Sequence, residues 1–189
     1  MSRQARILLV DDRPENLIAL DAILSPLNQI LVPVQSGEEA LRALIADEFA
    51  VVLLDIVMPG MSGIETATRI KQNAKTRDVP IIFLTAAIAQ PEQPFLGYAA
   101  GAVDYLAKPF DPGVLTAKVS IFVDLYLKAS QLLDQAELLS ERLEAVEEAV
   151  AALGRLPAVS QDAEAREVAS RLAGRVGGLR DALGGLGPR

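Results

Sequence analysis

Three runs of consecutive apolar residues constrain this chain more than any other feature: Ile7-Leu8-Leu9-Val10, Ala50-Val51-Val52-Leu53-Leu54 and Ile81-Ile82-Phe83-Leu84. Each is short, lacks polar alternation and is bounded by turn-forming or charged residues, the pattern of a strand buried on both faces of a parallel sheet. Strands are expected near 6–10, 30–34, 50–54, 80–84 and 103–106, with helices near 14–25, 37–46, 63–74 and 92–100. Ser36 with Glu39, and Ser62 with Glu65, have the spacing of a capping box at a helix start. Such an alternation predicts an α/β fold with right-handed crossovers and helices on both faces of the sheet.

The strand ends carry the chemistry. The first run closes in Asp11-Asp12, the second in Asp55, and Val103-Asp104-Tyr105-Leu106-Ala107 leads into Lys108-Pro109-Phe110. Three carboxylates and one lysine therefore reach the carboxyl edge of the sheet, where open α/β folds keep their sites. Clustered carboxylates raise one another's pKa and do not all stay ionised without a cation. An oxygen-only cluster suits a hard ion such as Mg2+.

In order and spacing, Asp11-Asp12, the segment from Asp55 to Gly63, Thr85-Ala86 and the stretch Gly101 to Phe110 resemble the receiver domain of two-component response regulators, from about Arg3 to Leu127. The resemblance implies a flavodoxin-like, doubly wound five-stranded parallel sheet in the order 2-1-3-4-5. It implies that Asp55 is the phosphoacceptor, attacking as a carboxylate nucleophile. Lys108 and Thr85 would then serve the phosphoryl oxygens as a charge and a hydroxyl donor. Ala86 and Val57 would flank the phosphoryl group. Mg2+ would be held by Asp12, Asp55 and the main-chain carbonyl of Val57, with Asp11 acting mainly through water. Thr85 and Tyr105 match a two-state switch pair, and Lys108-Pro109 a cis peptide. Gln90-Pro91-Glu92-Gln93-Pro94 departs from the family's usual polar start to the fourth helix.

Composition narrows the function. The 189 residues include no cysteine and no histidine. That excludes disulfides, the usual zinc sites and a phosphohistidine relay within this chain. A phosphoryl group must come from elsewhere, and the resemblance implies a histidine kinase as donor. The chain is thus expected to be a phosphoacceptor rather than an enzyme. A four-residue apolar run before Asp11 is too short for a signal peptide, and no stretch approaches about 20 apolar residues. The expectation is a cytoplasmic protein with no membrane partner. A net charge of -7 argues against nucleic acid as a partner.

The last third reads as helical. Asp111-Pro112 is a good N-cap and N1 pair. From there Leu115, Phe122, Ala129, Ala136, Leu143 and Val150 fall at one heptad seat. Lys118, Leu125, Leu132, Leu139, Val146 and Leu153 fall at the other. Eleven of the twelve are apolar, which predicts a coiled coil. The organisation expected is a receiver over 1–127, a long fifth helix over 112–153 continuing into a coiled coil, and a short helical or mobile tail over 154–189. Ser160 is a candidate N-cap for that tail. Gly174, Gly177 and Gly178 weaken the tail, each by about 1 kcal/mol relative to alanine, so its pairing with the long helix is the weaker competitor to a parallel homodimer.

Residues 113–189 hold nine Lys/Arg against eleven Asp/Glu, without the basic surface that a DNA or RNA reader needs. The reading favoured is a response regulator phosphorylated on Asp55 that signals to an unknown downstream protein through a dimeric coiled coil, without a DNA-binding output domain. The alternatives are a nucleic-acid-binding regulator using the terminal helices, and a phosphate sink for a kinase.

Overall fold

β1 (Arg6–Val10) is the spine of the sheet, and its alternate residues face opposite layers. Ile7 and Leu9 pack with Leu53, Ile82 and Leu84 on one face, while Leu8 and Val10 pack with Val52, Leu54 and Phe83 on the other. Two buried faces explain why these runs show no polar alternation. The computed structural model describes residues 3–85, 104–155 and 161–184. After β1 come α1 (Pro14–Leu24), β2 (Ile30–Val34), α2 (Gly37–Ala46), β3 (Val51–Asp55), α3 (Gly63–Gln72), β4 (Ile81–Thr85), β5 (Asp104–Ala107), α4 (Pro112–Gly154) and α5 (Ala163–Gly184). The helix expected near 92–100, with its two prolines, lies outside the described residues.

Among the described residues the sheet is parallel in the order β2-β1-β3-β4-β5. This is the flavodoxin-like receiver fold. The order sets β1 beside β3, so Asp11 and Asp55 leave neighbouring strands. Leu17, Leu20 and Leu24 of α1, with Leu115, Val119 and Val123 at the start of α4, cover one face; Ala40 and Leu44 of α2, with Ala67 and Ile70 of α3, cover the other. The first turns of α4 thus follow a helical i, i+4, i+8 stripe against the sheet, as expected of a receiver's last helix.

Caps fix where several helices start. Ser36 Oγ accepts from Glu39 N, and Glu39 Oε2 accepts from Gln35 N. Ser62 Oγ accepts from Glu65 N, but the Glu65 carboxylate pairs with Arg69, so only half of that box forms. Asp111 Oδ1 accepts from Gly113 N and Val114 N.

The chain divides into two compact units, 1–127 and 128–189. The division falls within α4, a helix of 43 residues consistent with a coiled-coil extension. In the second unit the tail is not short: α5 has 22 residues. Ser160 lies outside the described residues, and α5 is capped instead by Asp162, whose Oδ1 accepts from Glu164 N and Ala165 N. Within this unit α5 also meets the long helix. Arg180 Nη1 donates to Glu147 Oε2 at 2.5 Å across the two helices. A Cβ on Gly177 would come within 2.9 Å of Glu147 Oε1. No described helix is long and apolar enough to cross a membrane.

Gly63 carries the turn after β3. A Cβ there would lie 2.8 Å from Ile56 Cα and 2.9 Å from Asp55 C, and closer still to Asp55 O. Those are backbone atoms of a buried strand end and cannot give way. Gly63→Ala is expected to destabilise the protein by about 2 kcal/mol, read as a lower urea midpoint with an unchanged m-value; an unchanged midpoint would contradict the packing.

Candidate functional site

The carboxyl ends of β1 and β3 deliver two acids that are almost wholly buried: Asp11 is 0% exposed and Asp55 6%. Lys108, in the turn after β5, bridges them. Its Nζ donates to Asp11 Oδ2 at 2.6 Å and to Asp55 Oδ1 at 2.7 Å. The remaining oxygens are committed as well. Asp55 Oδ2 accepts from Val57 N at 2.9 Å. Asp11 Oδ1 accepts from Arg13 N and from Asn16 Nδ2, at 3.0 and 2.8 Å. Asp12 is half-buried and bonds to no other described residue.

Burial pushes the Asp55 carboxyl above its ordinary value; Lys108 pulls it down again, and the charge of Asp11 adds to the rise. For Lys108, burial alone would lower the ammonium, but its bonds to Asp11 and Asp55 outweigh that and hold it above the ordinary lysine range. The two carboxylates thus share one positive charge.

Thr85 closes β4, is buried, and lies opposite Ala107 in the β4–β5 register. Its carbonyl accepts from Lys108 N at 2.6 Å, which fixes the turn that carries the lysine. The Lys108-Pro109 peptide is cis. Tyr105 is half-buried on β5, opposite Phe83. Val57 is 69% exposed beside the Asp55 carboxylate. Of the expected residues, Asp11, Asp55 and Lys108 are in direct contact, with Val57 N on the same carboxylate; Asp12, Thr85 and Tyr105 stand on or beside the same edge, and Ala86 lies outside the described residues.

Two interactions were not anticipated. Asn16 reaches both oxygens of Asp11, at 2.8 and 3.0 Å, from the first turn of α1. Its only trace in the sequence is a polar residue two positions after Pro14. Asp104, on β5, pairs with Lys118 Nζ. That pair accounts for the one charged seat in the heptad pattern: Lys118 faces β5, not a partner helix.

The model for the response regulator receiver domain matches residues 7–120. The chain belongs to the receiver family of two-component response regulators. Among relatives, a "Probable cyclic di-GMP phosphodiesterase" of Vibrio cholerae is 39% identical over 136 residues, 72% of this chain and 30% of that one. Response regulator PleD of Caulobacter vibrioides is 32% identical over 173 residues, 89% of this chain and 38% of its own length. The receiver therefore spans well under half the length of these two relatives. Among solved structures, the receiver domain of the sensor histidine kinase PA1611 from Pseudomonas aeruginosa, described with magnesium coordinated in the active-site cleft, is 31% identical. Its TM-score is 0.59, and the match covers 65% of this chain and 99% of that one.

The shared charge has a pH signature. Asp55 in the folded receiver holds its proton more tightly than in the unfolded chain. Its contribution to stability is therefore complete below the ordinary carboxylate value and is lost as pH rises through the raised one. Lys108→Met removes the attraction that opposes this loss and leaves two buried acids facing each other. The variant is expected to be less stable than the parent by about 2 kcal/mol or more near neutral pH. The gap should narrow as the carboxyls take up protons in acid. Urea midpoints across that range test it, and a gap independent of pH would contradict the shared-charge geometry.

Proposed function

We propose that this receiver is phosphorylated on Asp55 by a histidine kinase and passes the change to a downstream protein through its helical extension. The observation that carries the reading is the convergence of Asp11 Oδ2 and Asp55 Oδ1 on Lys108 Nζ at the carboxyl edge of the sheet. A carboxylate oxygen of Asp55 attacks the donor phosphorus. The bond from phosphorus to the donor nitrogen or oxygen breaks, its electron pair leaves with the donor, and an acyl phosphate forms. Water later attacks that phosphorus, releasing inorganic phosphate and restoring the carboxylate. Lys108, a compact charge with three donors, exchanges a bond to Asp55 for one to a phosphoryl oxygen. Thr85 supplies a hydroxyl, and Ala86 with Val57 flank the group.

The donor set suits Mg2+ by chemistry: it is all oxygen, and its Asp55 Oδ1 already accepts from a cation. Asp12, Asp55 and the Val57 carbonyl would hold the ion. Asp11, whose Oδ1 is taken by Arg13 N and Asn16, would act through water. Bound there, the ion would neutralise charge on the transferring phosphoryl group.

Thr85 and Tyr105 serve as the switch, one hydroxyl and one half-buried ring on neighbouring strands. Output runs through protein contacts of a self-associating extension in the cytoplasm, without nucleic acid or membrane, in keeping with the acidic balance of the chain. With Mg2+ and acetyl phosphate the protein is expected to gain one base-labile phosphoryl group, and Asp55→Asn none, by intact-mass spectrometry. Stoichiometric incorporation into Asp55→Asn would overturn the assignment.

A further inference from the structure

Within residues 128–189 the heptad seats of α4 divide into two sets. Ala136, Leu143 and Val150 are half-buried, as are Ala165, Ala169 and Ala173 of α5. Of these, Val150 meets Ala165, Ala169 and Ala173, and Glu147 with Arg180 joins the two helices further along. The other seats, Leu132, Leu139, Val146 and Leu153, remain 47–66% exposed, and Val168, Leu172 and Leu179 on α5 are 42–59% exposed. Leu153, Val168 and Leu172 line one groove of ≈ 450 Å³ together with Val150, Ala165 and Ala169, and Asp162 and Glu164 at the start of α5 border it. The exposed rows of the two helices therefore share one face of the hairpin. The opposite groove shares Val150 and Ala169 but carries Ala151, Arg166, Ser170 and Ala173 in place of the exposed Leu153, Val168 and Leu172.

We propose that the apolar face is covered by a second copy of the chain, two hairpins closing into a four-helix bundle about a two-fold axis parallel to the helices. This deepens, and rests on, the reading of the extension as self-associating, but it replaces the two-stranded coil. The inner seats that such a coil needs are already occupied by α5.

Three observations favour a second copy as the occupant. Seven aliphatic side chains, each about half exposed, form a patch on the order of 600 Å², at the upper end of what a monomer leaves open. Doubled, that approaches the roughly 1,200 Å² at which specific interfaces begin. Glu137, Glu141, Glu144 and Glu148 lie at other heptad seats, so no acid interrupts the exposed row of α4, and the groove's two acids, Asp162 and Glu164, stand at the very start of α5. The levels also match. Leu153 stands level with Val168 and Leu172 within one hairpin. An axis along the bundle preserves height, so Leu153 of one copy meets Val168 and Leu172 of the other. All neighbouring helices then run antiparallel, as in an up-down-up-down bundle.

The chain has no cysteine, which makes cross-linking clean. The unphosphorylated parent is expected to sediment as a dimer at tens of micromolar. Leu153→Cys and Val168→Cys chains, mixed and oxidised, are expected to link to each other in preference to themselves, while Ala151→Cys with Ser170→Cys, from the opposite groove, do not link. A monomeric parent overturns this interface together with the self-associating reading. A dimer in which Leu153→Cys chains link chiefly to one another overturns the four-helix geometry and leaves the self-associating reading standing. Neither outcome touches the chemistry of Asp55.

Discussion

The charge on Lys108 holds the site together. Two acids that are 0% and 6% exposed leave adjacent parallel strands and point at the same space, and a single ammonium at 2.6 and 2.7 Å keeps them there. A buried ion pair gains little over apolar packing of equal volume, because both partners lose their water. Here the surroundings work to maintain it. Arg13 N and Asn16 satisfy Asp11, Val57 N satisfies Asp55, and Thr85 O fixes the turn that carries the lysine. The close passage of Gly63 beneath Asp55 and Ile56 belongs to the same construction. Such expense at a strand edge is intelligible when the cluster must exchange one cation contact for another, as phosphoryl chemistry requires.

The long helix serves two ends with one periodicity. Leu115, Val119 and Val123 close the core beside β1 and β4, and Tyr126 Oη donates to Glu48 Oε2 at 3.0 Å, so the first turns of α4 belong to the receiver. Lys118 shows where the two uses separate. Read as a heptad seat it is an anomaly; read as a residue facing β5, it is the partner of Asp104. Beyond Leu127 the same helix belongs to the second unit, where its seats are shared between α5 and an open apolar face.

Much of the fold was legible because parallel strands buried on both faces write themselves as apolar runs, and Asp11, Asp55 and Lys108 stand directly at the ends of such runs or just beyond. The Asp111 cap was legible for a similar reason, its signal being local. What escaped depended on tertiary approach. The reach of Asn16 to Asp11 spans five residues through a helix start, and the Asp104–Lys118 pair joins a strand to a helix fourteen residues later. The contact of α5 with α4 escaped for the same reason. Glu147 and Arg180 stand thirty-three residues apart, and no local pattern contains their pairing.

We propose that one particular carboxylate of this cluster, that of Asp55, receives the phosphoryl group. Borohydride reduces an acyl phosphate to an alcohol and leaves free carboxylates untouched, so aspartyl phosphate becomes homoserine at the position that carried it. Reduction of the acetyl-phosphate-treated protein, followed by peptide mass spectrometry, is expected to find homoserine at position 55 with Asp11 and Asp12 unchanged. Homoserine at position 11 or 12, or at none of the three, would contradict it.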